Sequence, residues 1–245
     1  MENKNNKRKK SIWAIGGIIL ERISDVVLLV AFLLGIYMGY DNIYVYYHAR
    51  AERVIYQKKE TIEEVKKDLS DEVVAWVTLD DTNIDYPIMQ CDNNIKYLNT
   101  DAYGEYSLAG AIFLDFRCSP DFTDEYNLVY GHHMGAGMMF GALDEYIDQS
   151  YFDSHQTGAL LVDKEEIPLD VVAFLQIDAS DDEIFNPTEE TDIYSFIQNH
   201  ARYITKVDTS RKILALSTCK EPMSTERTVL ICQYDIGSTS EDSKS

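Results

Sequence analysis

Between residues 73 and 234 short apolar runs alternate with turn-forming residues: VVAWVTL, IDYPIMQ, GAIFLD, NLVYGH, GALLVD, VVAFLQI, KILALST and TVLICQY. Runs of this length, rich in Val, Ile, Leu and aromatic residues and bounded by Gly, Pro, Asn or Asp, read as strands. Eight of them predict a mainly β domain, a barrel or sandwich decorated with helices. Two stretches, 139–146 and 191–202, carry helical spacing instead. In the second, Thr191 is the expected N-cap, and Ile193, Phe196 and Ile197 share a face. Ahead of the strands, Val54, Ile55, Ile62, Val65 and Leu69 recur at roughly helical spacing among Lys and Glu. Residues 48–72 therefore read as an amphipathic helical connector, either packed on the core or acting as a spacer.

The N-terminal pattern is different. Lys4, Lys7, Arg8, Lys9 and Lys10 precede an apolar run over 12–20, which Glu21, Arg22, Ser24 and Asp25 interrupt. A second, uncharged run covers 26–40 and resumes after Asp41 and Asn42 as IYVYY. A membrane-spanning helix needs about 20 mostly apolar residues, and 23–47 supplies them, with tyrosines at the outer interface. Basic residues on the near side predict a cytoplasmic N-terminus and an extracellular remainder. A cleaved signal peptide is the competing reading, but no small-residue cleavage site follows the apolar run. The expected organisation is a cytoplasmic basic, amphipathic segment (1–22), a transmembrane anchor (23–47), the connector (48–72) and a β domain (73–236). A Ser-, Asp- and Glu-rich tail (237–245) is expected to be disordered.

With 245 residues, 45% of them hydrophobic, the chain can bury one sizeable core. Its net charge of −20 argues against nucleic acid as a partner, since phosphate binding needs clustered Lys and Arg. The first 47 residues carry six basic and four acidic groups, so the acidity belongs to the rest of the chain. It reads as a solvated, repulsive surface, or as attraction for a cationic partner or substrate tail.

The candidate chemistry lies in KILALSTCKEPMSTER, residues 212–227. Cys219 ends an apolar strand that Pro222 stops, and Arg227 heads the next run, so the two can face one another across adjacent strand ends. A thiol ionises near neutral pH with help from nearby cations or a base. The candidate base lies in NLVYGHHMGAG, where another strand ends in a glycine-rich loop. His132 and His133 are adjacent, so on a strand they point to opposite faces, and spacing does not tell which meets the cysteine. A metal site built from both histidines and a cysteine is the rival reading, but closely paired ligands of the CxxC or HxxxH kind are missing. Cys232, inside an apolar run, reads as a small buried hydrophobe. Cys91 and Cys118 have turn-like neighbourhoods, and no compact disulfide framework is apparent.

Together these blocks resemble the class B sortases. The resemblance is carried by Ala215-Leu216-Ser217-Thr218-Cys219, by Arg227 and by Tyr130-Gly131-His132. It extends through TNIDYPIMQ (82–90), NNIKYLNTD (93–101) and AGAIFLDFR (109–117), and so covers about 73–234. It implies an eight-stranded β-barrel with added helices, preceded here by the transmembrane helix, and a cysteine transpeptidase of the Gram-positive cell surface. His132, directly after Gly, would pair with the nucleophile Cys219, and Arg227 would stabilise the oxyanion. Asn94, Leu98, Tyr130 and Ser217 would line the peptide groove, and Glu221 is the nearest match to an auxiliary acid. The implied reaction is cleavage of a C-terminal sorting motif after Thr through a thioacyl enzyme. An amine of a cell-wall peptide or peptidoglycan precursor then accepts the surface protein, with no metal or organic cofactor. Two departures from the family pattern are Ala215, where Thr is usual, and the short spacing of Cys219 and Arg227. A pilus-polymerising sortase using a Lys amine, a secreted cysteine protease transferring to water, and a catalytically silent surface-binding module are the alternatives.

Overall fold

The computed structural model describes residues 21–44, 56–219 and 225–236. The basic leader, part of the connector, Glu221 and the acidic tail lie outside them. The chain divides into two compact units, 1–47 and 48–245. In the first, helix α1 (Glu21–Tyr44) has 24 residues and contains an 18-residue stretch with a mean hydropathy of 2.0. At 1.5 Å per residue it extends about 36 Å, enough to cross a hydrocarbon core of about 30 Å.

In the second unit the helical connector proves shorter than its apolar spacing suggests. Helix α2 (Ile62–Asp68) has seven residues and begins where Thr61 accepts a hydrogen bond from Glu64 N at 3.2 Å. Its buried residues are Ile62 and Val65. Residues 56–59 are not helical. Tyr56 enters the core there, edge-on to Trp76 with ring centroids 6.5 Å apart.

The strands follow as β1 (Val73–Leu79), β2 (Asp85–Met89), β3 (Ile112–Leu114), β4 (Tyr126–Met134), β5 (Met138–Met139), β6 (Thr157–Val162), β7 (Glu165–Asp178), β8 (Tyr203–Ile204), β9 (Lys212–Cys219) and β10 (Glu226–Tyr234). Their neighbour order is β10-β9-β4-β3-β2-β1-β6-β7, and β7 pairs back onto β10, which closes an eight-stranded barrel. Each of the eight barrel strands coincides with one of the apolar runs. The two-residue β5 and β8 are additions on β4 and β7 that carry no run of their own. Most pairs are antiparallel, but β2–β3 and β4–β9 are parallel. Parallel neighbours need long crossovers, and the one from β4 to β9 contains the helices α3 (Gln149–Ser154), α4 (Asp182–Phe185) and α5 (Ile193–His200).

Burial explains the patterning. The barrel interior takes Leu214, Leu216, Leu230 and Cys232. The alternate residues Ile213, Ala215, Val229 and Ile231 form a second cluster with Ile184, Phe196 and Ile197 of α4 and α5. Where helices cover the outer face both sides of a strand are buried, so β9 and β10 read as continuous apolar runs. In β7 the first half, uncovered, alternates, whereas Val171 to Leu175 is buried throughout. Two helical expectations change. Residues 140–147 form a 3₁₀ helix, entered through Met139 at φ 50°. Asp192, not Thr191, caps α5, because its carboxylate accepts from Ser195 N at 3.0 Å while Thr191 Oγ1 accepts from Thr188 N.

Gly131 sits where β4 crosses the core, and an added methyl would collide with the Ile112 and Phe140 side chains. Overpacking of this kind costs about 1–3 kcal/mol. Gly131→Ala is therefore expected to lower unfolding stability by that amount in denaturant titrations, and an unchanged midpoint would refute the crowding.

Candidate active site

Three strand ends meet at one rim of the barrel wall. In the parallel pair β4–β9, His132 is the register partner of Cys219; in the antiparallel pair β9–β10, Arg227 is. With strands about 4.8 Å apart, the His132 and Arg227 backbones flank Cys219 across a span of about 10 Å. Residues two apart share a face of a strand. His132 and Tyr130 thus continue the row of Leu128, and Arg227 that of Val229, both of which pack outside the barrel. The site lies on the outer wall just beyond the helical cover.

Beside this rim opens a cleft of about 480 Å³. His132 and Tyr130 of β4 and Arg227 of β10 line it, together with Asn94 and Leu98 from the β2–β3 crossover. Five of the expected residues are thereby brought to one cavity. Ser217 is not in its lining. It is buried between Tyr130 and Val229 in register, and among the described residues its Oγ has no hydrogen-bond partner. Glu221 lies outside the described residues, and Cys219 is placed by its backbone.

The remaining wall was not anticipated from the sequence. Phe116 and Arg117 follow β3, and Ala179, Phe185 and Asn186 follow β7. Behind them sits Asp115, only 1% exposed. Arg117 grips its carboxylate with Nε at 2.8 Å and Nη2 at 2.7 Å. Asn94 Nδ2 donates to the same carboxylate at 2.9 Å and the Tyr130 hydroxyl at 3.2 Å. Burial alone would raise the Asp115 pKa, but the bonds from Arg117 and Asn94 hold it below the usual carboxylate range. Burial, followed by the Asp115 charge, pushes the Tyr130 phenol up, so it stays a donor. A signal for this hub was present in the block FLDFR, where Asp115 and Arg117 stand two apart.

The adjacent histidines separate. His132 faces the cleft, while His133 Nε2 lies 2.6 Å from Asp144 Oδ2 of the 3₁₀ helix. Burial lowers the His132 pKa below 6.5. The Arg227 guanidinium donates to Glu226 O at 3.1 Å.

No protein-family model matches the chain. Sortase B of Listeria monocytogenes is 30% identical over 171 residues, 67% of this chain and 70% of that protein. This chain belongs to the class B sortases. Sortase B of Staphylococcus aureus is 26% identical over 241 residues, 87% of this sortase and 97% of the relative. Among solved structures, a Streptococcus pyogenes class B sortase involved in pilus biogenesis superposes with a TM-score of 0.65 at 32% identity, covering 73% of this sortase and all of that chain. The S. aureus sortase B–substrate complex gives 0.63 at 28% identity, over 71% and 83% of the two chains. A sortase B complexed with triglycine gives 0.64 at 26%, over 71% and 84%. The sortase is accordingly a cysteine transpeptidase on an eight-stranded barrel.

Because the folded state holds His132 neutral, acidification through about pH 6.5 protonates the unfolded chain first, and this contribution to stability falls with pH. The His132 imidazole is expected to titrate below 6.5 by NMR, and His132→Gln should flatten the stability profile between pH 6.5 and that midpoint. A midpoint at or above 6.5 would contradict the desolvation.

Proposed function

We propose that this sortase is a membrane-anchored transpeptidase in which Cys219 is the nucleophile, His132 the acid and base, and Arg227 the oxyanion donor. One observation carries the reading: His132, Cys219 and Arg227 are register neighbours across three consecutive strands at the mouth of a cleft. The Cys219 thiolate adds to the Thr carbonyl carbon of a C-terminal sorting motif, and the Arg227 guanidinium stabilises the oxyanion. Collapse breaks the C–N bond while His132 in its imidazolium form protonates the leaving amine, and a thioester remains. An incoming amine gives up its proton to the neutral imidazole, attacks the thioester and regenerates the thiolate. Desolvation keeps the imidazolium scarce, so thiolate and imidazolium together are the reactive minority.

The apolar, partly aromatic cleft, with Leu98, Phe116, Phe185 and Tyr130, suits an extended peptide, and we place Asn94, Leu98 and Tyr130 among its contacts. Ser217 would act behind them rather than in the lining. Glu221 is kept as the auxiliary acid. The partners in this reading are a surface protein bearing the motif and a cell-wall peptide amine. The sortase B complexes with substrate and with triglycine support these classes. Helix α1 would anchor the protein with the basic leader inside and the barrel outside a Gram-positive cell. The pilus-associated relative favours a second acceptor, a Lys side chain of another protein.

Incubating the full chain in detergent with LPxTG, NPxTx and SPxTG peptides, with triglycine, a Lys peptide or neither, and weighing the products tests this. The expected outcome is cleavage after Thr with amine-dependent ligation, and the productive amine separates wall anchoring from pilus assembly. Hydrolysis unaffected by either amine would indicate a protease. Cys219→Ala should abolish turnover, by at least about a thousandfold, and leave the unfolding midpoint unchanged; retained cleavage would remove Cys219 from the role.

A further inference from the structure

Asp115 and Arg117 do more than neutralise each other. On one side the Asp115 carboxylate receives Asn94 and Tyr130, both in the cleft lining. On the other, Arg117 Nη1 donates to Asn186 Oδ1 at 2.8 Å and Nη2 to Phe185 O at 2.6 Å. Asn186 and Phe185 stand at the end of α4, in the long insertion between β7 and β8, and both line the cleft. One hydrogen-bonded chain therefore joins residues on the β2–β3 crossover and β4 to the α4 segment. Helix α4 is a single turn, too short to hold itself. It is also held to the barrel by the Tyr126 hydroxyl, which donates to Ile184 O at 2.9 Å, and by Ile184 and Phe185 in the outer apolar cluster. The guanidinium has five N–H donors, and four are engaged in these contacts. Arg117 thus has little left to offer a substrate, although it is 40% exposed.

We propose that Arg117 is a positioning residue that staples the α4 segment to the barrel wall and presets the width of the peptide cleft. The inference rests on the reading of this cleft as the sorting-peptide groove. A planar fork can bridge both sides at once, which a lysine ammonium cannot. Loss of the staple leaves the rim bearing His132, Cys219 and Arg227 in place but loosens the wall that the peptide packs against. Binding therefore suffers and the chemical step does not.

The test uses the full chain with Arg117→Lys, Arg117→Gln and Asn186→Ala, the last of which keeps the Asp115 charge paired. Deuterium exchange at the amides of Ile184, Phe185 and Asn186 is read without any substrate. These amides are bonded within α4 and its cap, and both Arg117 variants should exchange them faster by about tenfold or more. With a peptide that the wild type cleaves, KM should rise about tenfold in both, with kcat within about twofold. The Arg117→Gln/Asn186→Ala double variant should show no larger a rise than the greater single, because the Asn186 contact is already among those lost with the Arg117 guanidinium. Unchanged exchange, a normal KM for Arg117→Lys, a fall in kcat with KM constant, or multiplying effects in the double variant would each overturn the staple. If the wild type cleaves no peptide, the sorting-peptide reading fails, while the exchange result still decides whether Arg117 holds α4.

Discussion

The parallel pairing of β4 with β9 is the contact on which the rest of the structure depends. Antiparallel neighbours can be joined by a turn, but this pair is brought together only after the chain has completed β6, β7 and the insertion with α4 and α5. Once β9 lies against β4 and β10 folds back on β9, the pairing of β10 with β7 leaves the barrel without open edges among its eight strands. The same pairing sets the level of His132 against Cys219. A slip of one residue would send each side chain on β9 to the opposite face. The double apolar cluster penalises such a slip, because Leu214 and Leu216 belong inside the barrel while Ile213 and Ala215 belong under the helices.

A buried charge shapes the cleft beside that rim. A carboxylate that is almost inaccessible to water is tolerable only when paired and fully hydrogen-bonded. Asp115 meets that condition by collecting Arg117, Asn94 and Tyr130, three groups from different parts of the chain. The demand of one desolvated carboxylate thereby becomes an ordering principle for side chains that touch the cavity. At His132, by contrast, burial itself sets the shift, and a lowered pKa there favours the neutral form. The two environments lie along one groove, one holding its charge and the other resisting it.

The sequence by itself determined the strand content: all eight barrel strands fall on runs visible as apolar stretches between turn residues. It also contained the ordered blocks by which the chain is similar to other class B sortases, and the apolar length of α1. Strand registers and boundaries such as that of α2, where Tyr56 leaves the expected helix for the core, were not legible, because they follow from what packs against each segment. The cap of α5 moved by one residue for a similar reason, since Thr191 is engaged with Thr188. Only the tertiary structure decided that His132 faces the cleft while His133 turns to Asp144, that Ser217 is buried behind the lining, and that Asp115 and Arg117 link the barrel to α4. Periodicity records which positions are apolar; which distant segment comes to face them is set by barrel closure and by the need of buried charges for partners.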